Sequence, residues 1–159
     1  MTDCSTQPDL FPACKSRKVQ ADFEGGDITS DGGSLLLRQV DRRIGLTRAV
    51  DRALGDSRRQ ASCDHQQLHL LRQRTYGLAL GYEDLNDHQT MRHDLALQTS
   101  VDVDKELASA STLCRFENRA DRATAVAIHR VLIEKFIESF DEPPTRCARI
   151  KRYRSTPPE

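Results

Sequence analysis

The stretch LALGYEDLNDHQTMRHD, Leu78 to Asp94, crowds Glu83, Asp84, Asp87, His88, Arg92, His93 and Asp94 behind a short apolar run. Carboxylates and imidazoles at this density are the raw material of a metal site. On one helix, Asp84 and His88 share a face at i, i+4, and Asp87 and Asp94 fall near the same stripe. The spacing is neither HExxH nor an EF-hand loop. One helix supplies two or three ligands at most, and Arg92 stands inside the cluster ready to pair with its acids. Helix capping and surface ion pairs therefore account for these residues better than a metal does. Cys63, His65 and His69 form a second cluster, with the histidines one turn apart and Cys114 a candidate fourth group. Paired histidines at this spacing are common on exposed helices, and the five cysteines include no CxxC pair.

Nucleophilic chemistry has less support. Ser34 and Ser109 lack a GxSxG elbow. Gly25-Gly26 and Gly32-Gly33 belong to neither GxxxxGK[ST] nor GxGxxG, so no phosphate loop is present. The expectation is a chain with no catalytic residue and no metal ligand of its own.

Nucleic-acid binding is the reading left by charge. The chain has 159 residues and a net charge of zero, with 24 basic and 24 acidic side chains. The balance hides an asymmetry. Arg38 to Arg74 holds nine arginines against Asp41, Asp51, Asp56 and Asp64, a net of +5. Glu83 to Glu106 holds seven acids against Arg92 and Lys105, a net of −5, and Arg146 to Arg154 is a run of five basic residues with no acid. Arginine grips phosphate with two parallel N–H donors. Arg42, Arg43, Arg58, Arg59, Arg72 and Arg74 are the candidate DNA contacts, on short helices broken at Gly45 and Gly55 and on the loop from Asp56 to Cys63, an arrangement with room for a helix-turn-helix-like unit. The competing account is a helical bundle with arginines on its solvated faces.

These side chains need a scaffold, and the chain reads as mainly α. Length fits one domain, and 37% hydrophobic content fits a modest core or a piece of a larger protein. Residues 1–16 are polar and aperiodic and are expected to be disordered. Val19, Ala21 and Phe23 alternate with polar residues before Gly25-Gly26, which predicts a short β-hairpin near residues 18–30. Helices are then expected from Ser30 or Asp31 to Gly45, from Leu46 to Leu54, and from Asp64 to Leu80 with Leu68, Leu71, Thr75 and Leu78 on its apolar stripe. Further helices are expected from Glu83 to Leu97 and, after a loop through Val101 and Val103 that leads to LASASTLCRFEN, from Ala120 to Phe140. The last has the clearest period, Ala125, Ile128, Leu132, Phe136 and Phe140. Pro143-Pro144 ends it, and residues 143–159 form a basic tail without period. No run approaches the roughly 18 apolar residues that span a bilayer, and no signal peptide opens the chain, so a cytoplasmic protein with reduced thiols is expected.

The ordered series ITSDGGSLLLRQVDRRIGL, LRQRTYGLALGYEDLNDHQTMRHD and LASASTLCRFEN resembles the N-terminal region of bacterial insertion-sequence transposases of the DDE type, the group-one DDE transposases. The likeness covers about Val19 to Thr145. It implies cut-and-paste movement of a mobile element and binding of the element's terminal inverted repeats. It also implies, for full-length members, an RNase-H-like fold whose three carboxylates hold two magnesium ions. In that family an LDxDxT-like strand carrying the first catalytic aspartate follows the Pro-Pro region. Here the residues after Pro144 read TRCARIKRYRSTPPE, and no aspartate follows Asp141. None of the three catalytic residues transfers to this chain. A truncated transposase is therefore expected, its tail produced by a frameshift, able at most to bind DNA or to pair with an intact transposase. A stand-alone DNA-binding regulator and a non-functional remnant are the alternatives.

Overall fold

The computed structural model describes residues 11–15, 17, 19, 29 and 31–142. Those residues are mainly helical: α1 Ser34–Ile44, α2 Leu46–Leu54, α3 Gln67–Ala79, α4 His88–Met91, α5 Leu95–Val101, α6 Ala110–Glu117 and α7 Arg122–Glu138. Short 3-10 turns at Gln60–Ser62 and Leu85–Asp87 precede α3 and α4. No strand occurs among the described residues. An isolated antiparallel bridge joins Cys14 to Arg17. The expected hairpin is not supported: of its span only Val19 and Thr29 lie within the described residues, and neither is in a strand. Residues 1–10 and the basic tail lie outside them as well.

Glycines set three of the helix ends. Gly45 at φ 68° caps α1 and opens α2, Gly55 at φ 62° closes α2, and Gly81 at φ 96° follows α3. All three occupy conformations that cost an L side chain free energy. Carboxylates set other starts. Asp121 accepts from Thr124 N at 2.8 Å to begin α7, and Asp94 accepts from Leu97 N at 2.8 Å to begin α5. The cap at Asp94 corrects the expectation of one helix from Glu83 to Leu97. The chain there makes a 3-10 turn, the single turn α4, a bend at Arg92 and His93, and only then α5. Asp84 and Asp94 satisfy free backbone N–H groups where a continuous helix would have used carbonyls.

The core lies between α1, α3 and α5. Tyr76, Met91, Leu97, Val101, Val103 and Leu107 are buried together, with Leu37, Leu80 and Tyr82 against them. A smaller cluster of Leu70, Ala108 and Leu113 sits under α6, flanked by Leu85 and Phe116. The face that α3 buries differs from the expected stripe. It is Gln67, Leu70, Arg72, Gln73, Tyr76 and Gly77, while Leu78 is 49% exposed. Polar burial is tolerated because each group is partnered. The Gln73 amide clasps the backbone of one residue, accepting from Ala108 N and donating to Ala108 O, both at 2.9 Å. Gln67 Nε2 donates to Asp51 Oδ1 at 3.1 Å.

The long helix α7 packs on α2 through Val131, with Thr124, Ala127, Ile128 and Lys135 half-buried around it. Four residues of its expected core stripe point elsewhere: Ala125, Leu132, Phe136 and Phe140 are exposed. No described helix is long and apolar enough to cross a membrane.

Candidate nucleic-acid interface

The six arginines expected on DNA have three different fates. Arg72 is a core residue, 3% exposed. Its Nη1 donates to Asp102 Oδ2 at 2.8 Å, and its Nε faces Thr47 Oγ1 at 3.3 Å and Asp41 Oδ2 at 3.5 Å. It cannot reach a phosphate without unfolding α3. Arg42 donates to Asp102 Oδ1 at 2.9 Å. Arg74 holds the carbonyls of Tyr82 and Glu83 and the Glu117 carboxylate, tying α3 to α6. These two are committed within the fold. Arg43 and Arg59 are exposed and in no ion pair among the described residues. Arg58 lines a cleft, described below.

Arg72 and Arg42 belong to one network. Asp102 ends α5 in a left-handed conformation, φ 70°, which swings its carboxylate back over α1 and α3. Its Oδ1 accepts from Arg38 Nε at 3.0 Å, from Arg38 Nη2 at 2.8 Å and from Arg42. Arg38, 2% exposed, also donates to the Pro12 carbonyl at 2.8 Å. Burial pushes the Asp102 carboxyl up, but the guanidinium groups of Arg38, Arg42 and Arg72 outweigh it and hold the group below the usual carboxylate range. Asp41 accepts from Thr47 N at 2.8 Å, Thr47 Oγ1 at 2.5 Å and Tyr76 OH at 3.1 Å.

A different set of arginines gathers on the other side of α3. Arg58, Arg115 and Arg119, with Thr112, line a cleft of about 260 Å³ whose floor is Leu70 and Phe116. Arg58 is held in place by a two-pronged pair with Asp56, Nε to Oδ1 at 2.8 Å and Nη2 to Oδ2 at 2.6 Å, and by the His65 carbonyl. Hydrogen bonding to Arg58 keeps Asp56 ionised far into acid. Arg119 is loosely tethered, 3.9 Å from Asp56 and 3.5 Å from Gln67 Oε1. Arg115 makes one weak contact, to Thr112 Oγ1 at 3.3 Å. Three guanidinium groups against one carboxylate leave the cleft with a surplus of positive charge. Two of the three have donors to spare. Arg115 and Arg119 were not among the sequence candidates, because each stands apart from the arginine-rich segment.

The residues weighed as metal ligands serve other partners or lie apart. Among the described residues no group of three or more histidine, cysteine or acidic side chains could hold a metal ion. Asp84 caps the turn at Asn86, Asp94 also accepts from Thr29 Oγ1 at 2.8 Å, His93 lies 3.3 Å from Glu106, and Asp87 is exposed. His88 is fully buried over Gly77. Burial lowers the pKa of His65 and of His69. Cys63 donates to the Arg59 carbonyl, and Cys114 accepts from Asn118. A pair of magnesium ions does not fit the two aspartates at the core either, because arginine and hydroxyl donors already occupy their oxygens.

One protein family matches this chain. The family model described as Transposase DDE domain group 1 matches residues 11–148, across the whole helical region. No curated protein and no solved structure matches. The match takes in the core network, the arginine cleft and all seven described helices, so the chain belongs to the group 1 family of transposase DDE domains.

Proposed function

We propose that this chain is a DNA-engaging segment of an insertion-sequence transposase, whose described residues cleave no bond and hold no metal ion. The observation that carries this reading is the cleft in which Arg58, Arg115 and Arg119 meet with only Asp56 to offset them. Its ligand is the sugar–phosphate backbone of the DNA at the element's terminal repeats. Arg58, fixed by Asp56, forms a rigid wall, and Arg115 and Arg119 turn onto phosphate oxygens with paired N–H donors. Arg59 and Arg43 add exposed charge that steers the duplex. Neither Arg72 nor Arg74 takes part.

The same reading assigns no bond cleavage to these residues. Asp41 and Asp102 serve the fold, and the acids of Leu78–Asp94 serve as caps and ion pairs. A salt series with a labelled DNA duplex tests the binding. Log affinity falls linearly with log salt, and the slope shrinks by about 1 for every phosphate the protein no longer neutralises. Replacing Arg115 and Arg119 together with Ala is expected to reduce the slope by about 2 and to leave the thermal melt unchanged. An unchanged slope would remove the cleft from the interface. Magnesium-dependent cleavage of the duplex by the purified chain would overturn the assignment of chemistry elsewhere.

A further inference from the structure

The helix α7 has two faces suited to burial, and the fold uses one. Val131 and its neighbours meet α2. At 3.6 residues per turn, Val126, His129, Ile133 and Phe136 come up on the opposite side, and Phe140 follows just past the end of the helix. Their spacing alternates four and three, the spacing of a two-stranded coiled-coil seam. Val126 is 42% exposed, Phe136 55% and Phe140 41%, Ile133 is half-buried between them, and Ile137 and Leu132 widen the patch. The Phe136 and Phe140 rings meet edge to face with centroids 5.0 Å apart, so the aromatic end of the seam is already ordered.

Charge along the helix selects the occupant. The first half carries exposed Arg122 and Arg130 after the capping Asp121; in the second half Lys135 pairs with Glu138 at 2.7 Å, which leaves exposed Glu134, with Asp141 and Glu142 just after the helix. A parallel neighbour would set acid against acid. An antiparallel copy sets each basic half against an acidic half. Arg130 and Glu134 flank the same edge of the outward face, which a two-fold axis brings together twice.

We infer that α7 pairs with α7 of a second copy of this chain, antiparallel about a two-fold axis, through the Val126–His129–Ile133–Phe136–Phe140 seam, with Arg130 of each copy against Glu134 of the other. The pairing needs no DNA and is independent of the arginine cleft. Two heptads make a small interface, so a dissociation constant on the order of 10 µM is expected.

Sedimentation velocity of the full chain without DNA, over a concentration series, tests it. A dimer is expected, and Phe136→Glu is expected to leave a monomer with the same helical circular dichroism. Arg130→Glu and Glu134→Arg are each expected to weaken association about tenfold, and the two together to restore it. A monomer throughout would overturn the inference. So would a dimer indifferent to Phe136→Glu, or charge reversals that do not rescue one another. If Phe136→Glu loses helical signal, Ile137→Glu on the same patch repeats the measurement at a second position.

Discussion

Arg72 on α3 and Asp102 at the end of α5 are joined by a 2.8 Å hydrogen bond, and through it the fold is closed. The same guanidinium faces Thr47 at the start of α2 and Asp41 on α1. One arginine thereby ties four helices, and Asp102 adds Arg38 and Arg42 from α1. Removing one partner of such a buried group leaves the others uncompensated. Asp102→Asn is expected to cost about 3 to 5 kcal/mol in urea unfolding. Asparagine tolerates the left-handed backbone at this position, so the loss reports charge and not strain.

Acid gives the same prediction an independent readout. The Asp102 carboxyl is depressed in the folded chain, so its contribution is present above the unfolded value and is lost as pH falls through the folded one. Stability should therefore decline once pH drops below about 4. In Asp102→Asn that part of the decline disappears. An acid-unfolding curve of the same steepness in both proteins would contradict the role given to Asp102.

Arg72 and Arg43 offer a contrast that the sequence alone does not announce. Arg72→Met should lose cooperativity in a thermal melt, because Asp102 and Asp41 are left with unanswered charge. Arg43→Ala should change stability by no more than about 0.5 kcal/mol. Equal effects on melting would mean that the two arginines do not differ in burial as described.

What the sequence made legible was local. Helix ends at Gly45, Gly55 and Gly81 follow from backbone conformations that glycine alone adopts cheaply, and the long helix before the prolines follows from its period. What it hid depends on partners far along the chain. α3 buries Gln67, Arg72 and Gln73 because Asp51, Asp102 and Ala108 answer them. Nothing within α3 announces those partners, so its leucines looked like the inner face. In α7 the difficulty was an excess of apolar residues: the most regular stripe faces solvent, and a less regular one meets α2. Arg115 and Arg119 escaped notice because the cleft assembles residues from distant parts of the described chain.

Gly77 is a packing residue. A Cβ there would stand 2.7 Å from His88 Cε1 and 3.0 Å from Nε2, and the ring has no free space to retreat into. Alanine improves helix propensity by about 1 kcal/mol, while overpacking costs about 1 to 3. Gly77→Ala is expected to be destabilising on balance. Combined with His88→Ala, it should cost less than the two separate effects added together, since the clash is then gone. Strict additivity in the urea midpoints would show that the two residues do not touch.

His88 also sets a dependence on pH. Gln73 Nε2 lies 3.4 Å from His88 Nδ1, and the Gln73 amide is oriented by Ala108, whose N–H donates to its oxygen. The amide nitrogen is therefore the donor and Nδ1 the acceptor, which puts the imidazole proton on Nε2. That atom is buried without a hydrogen-bond partner. Burial, reinforced by the charge of Arg74, lowers the pKa of His88. The unfolded chain takes up a proton on this residue near pH 6.5 and the folded chain does not, so stability falls as pH drops from that value toward the depressed one. His65 and His69 shift in the same direction, and only a comparison of variants isolates His88. His88→Leu removes both the proton and the unanswered N–H. Its stability relative to the unaltered chain should be higher at about pH 5 than at about pH 7.5 in urea unfolding. The same difference at both pH values would mean that His88 protonates as readily in the folded chain as in the unfolded one, and its burial would have to be redrawn.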